Sequence, residues 1–331
     1  MKRFPVILLA LLLSAAMLIG CRQADANNKI IICCTIFPQY DWVRQILGDK
    51  ADDVDLVLLL DDRIDLHNYQ PSVRDMALIS TCDLFIYVGG ESDGWVSDAL
   101  REAANQNRLV VNLLDRLGDA AKREEIAEGM EEDSQHDGDD AEAEAEADPG
   151  HEAGFDEHIW LSLRNARTCC IAIAGALTSL DPENGETYQS NLAEYVQQLS
   201  ALDSAYLAAA DAASVKTLLF ADRFPFRYLA EDYGLSYYAA FPGCSAETEA
   251  SFATVVFLSQ KVDELQLPCV MVTESADQSI ARTVIQNTRA RSQQICVLDA
   301  MQSVSSGDVQ NGATYLSIME SNLDVLKEAF H

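Results

Sequence analysis

Residues 182–213 read PENGETYQSNLAEYVQQLSALDSAYLAAADAA, with no proline or glycine after Gly185. Within this stretch Tyr188, Leu192, Tyr195, Leu199, Leu202 and Tyr206 recur at three- and four-residue steps, the spacing that lines one face of an α-helix. At about 1.5 Å per residue, some thirty residues span on the order of 40 Å, enough to run the height of two lobes as a stiff spine. The competing reading, a coiled-coil helix that pairs with a second copy, is weakened by the short run of heptads.

The sequence on either side fits a spine. Short apolar runs at residues 30–36, 54–60, 84–88 and 109–113 precede it, and runs at 217–220, 269–273 and 295–298 follow. The second set alternates with helical patterns near 226–233, 247–265, 279–289 and 313–329. Strands alternating with helices indicate βα units on a parallel sheet. The predicted fold class is therefore α/β: two lobes, each a parallel sheet flanked by helices, at residues 29–181 and 214–331, joined by one long rigid helix at 182–213.

Lys2 and Arg3 precede an apolar run over residues 4–19, which ends in Leu18-Ile19-Gly20-Cys21. The run is too short and too early for a spanning helix, the competing reading, and instead predicts a lipoprotein signal peptide over 1–21. Cys21 is then the lipidated first residue of the mature protein, with 22–28 as a flexible tether. Acyl chains would hold the protein on the outer face of the cytoplasmic membrane.

The formal net charge of −30 argues against a nucleic-acid partner, because phosphate binding needs clustered Lys and Arg. Among the nine cysteines, Cys33-Cys34 and Cys169-Cys170 lie in apolar runs and no CxxC spacing occurs, so buried thiols are expected rather than a thiolate zinc cluster. Residues 131–149 carry acidic runs with almost no apolar bulk, predicting a disordered acidic loop over about 131–150. Its carboxylates, with His136 and His151, would form a weak divalent-cation reservoir. A merely solvated acidic loop is the plainer alternative.

Only five histidines occur in 331 residues. Two sit in turn-rich segments, Asp65-Leu66-His67-Asn68-Tyr69-Gln70-Pro71-Ser72 and Asp156-Glu157-His158-Ile159-Trp160. Such placement lets an imidazole face a cleft and coordinate a metal; taken alone, either could equally be a histidine in a capped turn.

From about Ile30 to Phe330 the chain resembles the zinc- and manganese-binding solute-binding lipoproteins of bacterial ABC importers, in their zinc-type form. The resemblance rests on Thr35-Ile36-Phe37-Pro38-Gln39-Tyr40-Asp41-Trp42, similar to the family's first strand and turn. The His67 segment resembles its D-x-H-x-Y-x-P-S signature, and residues 156–166 resemble D-x-H-x-W-L-x-x-x-N-A. An acidic insertion precedes the second histidine, as in zinc-type members. Val297-Leu298-Asp299 and Gly312-Ala313-Thr314-Tyr315-Leu316 resemble the region that supplies the last ligand.

The resemblance implies the metal-type periplasmic-binding-protein fold, with His67 and His158 as ligands from the first lobe and Asp299 as one from the second. For Asp299 the alternative is a strand-end carboxylate bonded to backbone amides. The sequence departs from the family at the third ligand. Counting back from Phe226-Arg227-Tyr228-Leu229 lands on Arg223, whose guanidinium repels a cation, so its neighbour Asp222 is expected to coordinate in its place. Arg223 would then neutralise Asp222 or pair with another cleft carboxylate. Glu247 and Glu249 are reserve candidates, with helix N-capping as their alternative role, and Cys244 is a softer donor expected to be buried.

The implied function is extracytoplasmic capture of Zn²⁺, with Mn²⁺ as the alternative cargo, and delivery to an ABC permease and its ATPase by a monomer. Acid is expected to weaken the site between about pH 8 and pH 5, since both imidazoles must be neutral to donate. No HExxH spacing or other catalytic constellation points to an enzyme. A metal-binding surface adhesin or storage lipoprotein is the other reading.

Overall fold

A computed structural model describes residues 29–61, 64–101, 103–131, 154–245 and 249–331. The expected signal peptide with Cys21, the tether, the acidic loop beyond Glu131 with His136 and His151, and Glu247 lie outside these residues. Among the described residues no helix is long and apolar enough to cross a membrane.

The chain opens with strand β1 (Ile30–Cys34), which pairs in parallel with β2 (Val54–Leu58) and with β3 (Leu84–Tyr87); β3 pairs in turn with β4 (Leu109–Asn112). The resulting sheet has the order β2-β1-β3-β4. Its central runs, Ile32-Cys33-Cys34 and Leu84-Phe85-Ile86, are wholly buried. That is why they read as unbroken apolar stretches rather than alternating ones. Helix α1 (Phe37–Leu47) follows β1, α2 (Val73–Thr81) and α3 (Val96–Arg101) complete the crossovers, and α4 (Leu113–Leu117) follows β4.

A helix α5 (Leu163–Leu180), buried along one face, leads through one 3₁₀ turn into α6 (Gly185–Ala212), the predicted spine at 28 residues. All six residues of its expected stripe are buried. The helix is fastened to both halves: the Asn191 side-chain amide donates to Ile46 O at 3.0 Å, and Tyr206 Oη donates to Met319 O at 2.6 Å.

The second sheet has the order β6-β5-β7-β8, again all parallel, from β5 (Thr217–Phe224), β6 (Ser236–Pro242), β7 (Cys269–Thr273) and β8 (Gln294–Leu298). Helices α7 (Arg227–Asp232), α8 (Phe252–Leu265), α9 (Ser279–Asn287), α10 (Ser306–Gln310) and α11 (Tyr315–Ala329) surround it. Two features differ from expectation. The edge strand β6 was not anticipated, and β5 continues four residues past Phe220 with a register shift between Phe220 and Arg223. Asp222 and Arg223 thus sit on an irregular strand end, where a bulge re-aims side chains.

The two halves meet through polar contacts set in an apolar interface. Trp160 Nε1 donates to Ala300 O at 2.8 Å, Tyr315 Oη donates to Trp160 O at 2.6 Å, and the Tyr315 backbone N–H donates to Asp41 Oδ2 at 2.9 Å. Glu131, expected to open a disordered loop, is instead tied to the second half. Its N–H donates to Ala240 O at 2.9 Å and its Oε1 accepts from Ser251 N at 2.6 Å.

Candidate metal centre

The two Asp-x-His segments fold by the same local device. Asp65 Oδ1 accepts from the His67 backbone N–H at 3.0 Å, and Asp156 Oδ1 accepts from the His158 backbone N–H at 2.9 Å. An aspartate that bonds the amide two residues on closes an Asx turn, and each turn leads into a single 3₁₀ turn, Leu66–Asn68 and Ile159–Leu161. These turns aim the imidazoles at each other, with His67 Nε2 and His158 Nε2 3.2 Å apart. Two nitrogens bound about 2.0–2.1 Å from one tetrahedral ion would stand about 3.3 Å apart, so the pair is spaced as neighbouring ligands.

The outer ring nitrogens are fixed. His158 Nδ1 lies 2.8 Å from Asp156 Oδ1, and an ionised carboxylate only accepts, so Nδ1 carries the proton and Nε2 keeps its lone pair. His67 Nδ1 lies 2.8 Å from Ser92 Oγ and 3.9 Å from Glu157 Oε2. Glu157 is buried; its Oε1 accepts from Ser92 N at 2.7 Å, while Oε2 has no hydrogen-bond partner among the described residues. Gly90 permits this packing. At its φ of +93°, an added Cβ would fall 2.5 Å from Glu157 Oε1.

Burial, reinforced by the neighbouring His158, pushes the His67 imidazole down to about 3. The same burial favours the neutral imidazole, the form of His67 that can donate to a metal. Burial raises the Glu157 carboxyl, opposed by its bonds to Ser92.

A third donor arrives from the second half. Cys244 follows β6 in a turn with Gly243, and its thiol joins His67 and His158 in a group whose ligand atoms all lie within 4.8 Å of one another. Gly243 makes the approach possible, because a Cβ there would sit 3.0 Å from both His158 Cε1 and Phe224 O. The Cys244 N–H donates to Glu124 Oε1 at 3.0 Å. Burial pushes the thiol far above its ordinary value, and the carboxylates of Glu124, Glu157 and Asp156 add to the effect.

The carboxylates expected as ligands stand outside that group. Asp222 Oδ2 accepts from the Thr273 N–H at 2.9 Å and from the Thr273 hydroxyl. Asp299 Oδ1 accepts from Met301 N at 2.7 Å, the strand-end role weighed as its alternative. Arg223 pairs with Asp65 rather than with Asp222: its Nη2 donates to Asp65 Oδ2 at 2.7 Å, and its Nη1 donates to Ser245 O at 3.4 Å. Burial pushes the Asp65 carboxyl up, but the Arg223 guanidinium and other neighbours outweigh it and hold the group below the usual carboxylate range. Glu249 does not cap α8, whose N-cap is Ser251; it lines a polar cleft of about 380 Å³ with Asp65, Asp222 and Arg223.

Sequence reasoning passed over Ser92, Glu124, Glu157 and Gly243. Glu157 alone had a signal, its place between Asp156 and His158.

The model of the family described as zinc-uptake complex component A, periplasmic, matches residues 32–329. The zinc-binding lipoprotein AdcA of Streptococcus pneumoniae is 30% identical over 99% of this chain and 61% of its own length. The chain thus spans about three-fifths of that relative. The high-affinity zinc uptake system protein ZnuA of Bacillus subtilis is 30% identical over 93% of this chain and 90% of its own. The crystal structure of the Zn(II)-bound ZnuA-like domain of the S. pneumoniae AdcA superposes with a TM-score of 0.68 at 27% identity, covering 92% of this chain and 99% of the domain. Paired sheets, a fastened helix between them and two facing histidines agree with these likenesses, and the chain belongs to the periplasmic component A family of zinc-uptake complexes.

Proposed function

We propose that this protein captures Zn²⁺ outside the cytoplasmic membrane and hands it to an ABC permease and its ATPase. The observation that carries the reading is the pair of imidazole nitrogens 3.2 Å apart, each with its other ring nitrogen already bonded. Imidazoles whose outer ring nitrogens are already hydrogen-bonded are held in orientation and need little reorganisation to bind an ion, and imidazole suits zinc better than the hard cations. The zinc-binding and zinc-uptake names of the relatives support the same cargo. Lipidation at Cys21 and residence on the outer membrane face belong to this reading, as the name of the lipoprotein relative suggests. The lobes at 29–181 and 214–331, joined by a 182–213 spine, would close modestly around the ion.

Capture involves no covalent chemistry. Release would follow when docking pulls one donor from the ion, because loss of a single ligand weakens binding steeply. The test is element-resolved metal content of a soluble form beginning after Cys21, stripped and exposed to equimolar Zn²⁺ and Mn²⁺. One zinc per chain, lost in His67→Ala and His158→Ala, is expected. Manganese retention, or zinc retained by both variants, would sink the proposal.

A further inference from the structure

The geometry points to Cys244 as the third protein donor, which makes the centre a His₂Cys site suited to borderline and soft cations and poor for manganese. This inference rests on capture by His67 and His158 and specifies what completes it.

The two favoured oxygen donors of the second half already accept hydrogen bonds, Asp222 Oδ2 from the Thr273 N–H and hydroxyl and Asp299 Oδ1 from the Met301 N–H, and neither stands in the group around the histidines. Arg223 is turned toward Asp65 and Ser245. Among the described residues, the group with three donor atoms close enough for one ion is His67, His158 and Cys244. The thiol is held there by construction: its backbone N–H is anchored on Glu124, and the preceding Gly243 lies against the His158 ring, where no larger residue fits without displacing that ring or Phe224 O. When an ion binds, the Cys244 S–H bond gives its proton to solvent and the sulfur lone pair goes to the metal. Two imidazoles and one thiolate leave a fourth tetrahedral position for water or an exchangeable ligand. Thiolate selects zinc and copper(I) over manganese, which prefers oxygen.

Cobalt(II) chloride titrated anaerobically into the metal-free protein tests the assignment, because a cobalt–thiolate bond gives a charge-transfer band in the near ultraviolet. The expected result is a band that saturates at one equivalent and is lost in Cys244→Ser and Cys244→Ala. Zinc affinity should fall by at least about 100-fold in both, beyond the 10–100-fold typical of losing an outer hydrogen-bond partner. One equivalent of cobalt held through His67 without the band, or a band unchanged in both variants, would overturn Cys244 while leaving capture intact. Binding that is unaffected by His67→Ala would instead overturn the capture reading itself. A readout that needs no variant is alkylation of Cys244 by iodoacetamide, mapped by mass spectrometry: one equivalent of zinc should slow it at least tenfold, and an unchanged rate would refute the thiol's role.

Discussion

The two halves of the protein prepare the cleft in different ways. In the first half both histidines sit on Asx turns with an outer ring nitrogen tied to Asp156 or Ser92, so the donor atoms are oriented before any ion arrives. In the second half the conspicuous polar residues Asp222, Arg223 and Asp299 are occupied with backbone groups and an ion pair across the cleft. Their side chains hold the architecture, and among the described residues the second-half donor that reaches the histidines is a thiol on a turn. A charged residue in a cleft is therefore poor evidence of ligation until its existing hydrogen bonds are counted.

The sharpest way to break this contrast is to exchange one donor from each side. His158→Gln is expected to abolish zinc retention after gel filtration, whereas Asp222→Asn should change zinc affinity by less than about threefold, as for a residue outside the coordination sphere. A large loss in Asp222→Asn would return that carboxylate to the site.

Next in size is a pH effect confined to the second half. Burial, together with the nearby Asp299, pushes the Glu274 carboxyl up to about 7, while its oxygens accept from Ala300 N and Gln302 N. A carboxyl raised in the folded state contributes stability that is complete below its unfolded value near 4.5 and lost as pH rises through about 7. Metal-free protein should thus lose up to about 3 kcal/mol of unfolding free energy between about pH 5 and pH 8, on about 1.4 kcal/mol per pKa unit. Glu274→Gln should flatten that slope in urea melts at the two pH values; an unchanged slope would show that Glu274 is not its source.

A smaller effect is expected from the group behind His158. Asp156→Asn should weaken zinc binding about 10–100-fold, because the Nδ1 tautomer and ring orientation lose their anchor. A zinc competition titration would read it, and full affinity in the variant would mean that other contacts, such as the Trp160 ring 5.3 Å from that of His158 between centroids, suffice to hold the imidazole. Smallest is Arg223→Gln. The Arg223–Asp65 pair is largely but not wholly buried, at 15% and 22% side-chain exposure, so its loss should cost about 1–2 kcal/mol in chemical denaturation. Zinc affinity should move little, and a gain above tenfold would mean that the guanidinium repels the bound ion.

Much of this molecule was readable from the chain because the signals are local. The α6 stripe follows from side-chain periodicity, and all six of its predicted residues are buried. His67 and His158 stood out because each Asp-x-His unit builds its own turn. The partner of Asp222 was hidden for a long-range reason: β5 extends past Phe220 with a register shift, and the carboxylate bonds to Thr273 on another strand. No nearby residue encodes that partner. The seven-residue β6 run, Ser236–Pro242, follows closely on the helix end at Gly234 and closes on a proline, so it did not register as a strand. Cys244 was noted as a softer donor but expected to be buried, because its approach to His158 depends on the absent Cβ of Gly243, a matter of shape rather than composition.

The fastening of α6 at Asn191 and Tyr206 also sets a clock. A 28-residue helix is a rod of about 42 Å, bonded here to α1 of the first half nearer its start and to α11 of the second half nearer its end, so a wide swing of the halves would break packing along its length. Swings of whole domains run on microseconds to milliseconds, but small turns rearrange in nanoseconds to microseconds. The Leu66–Asn68 turn and the Gly243-Cys244 turn are the short pieces that touch the ion path, and they belong to the faster class. Under the proposed zinc capture, exchange of the ion would be governed by how often two turns part, and a partner that speeds unloading would have only to tug on one of them.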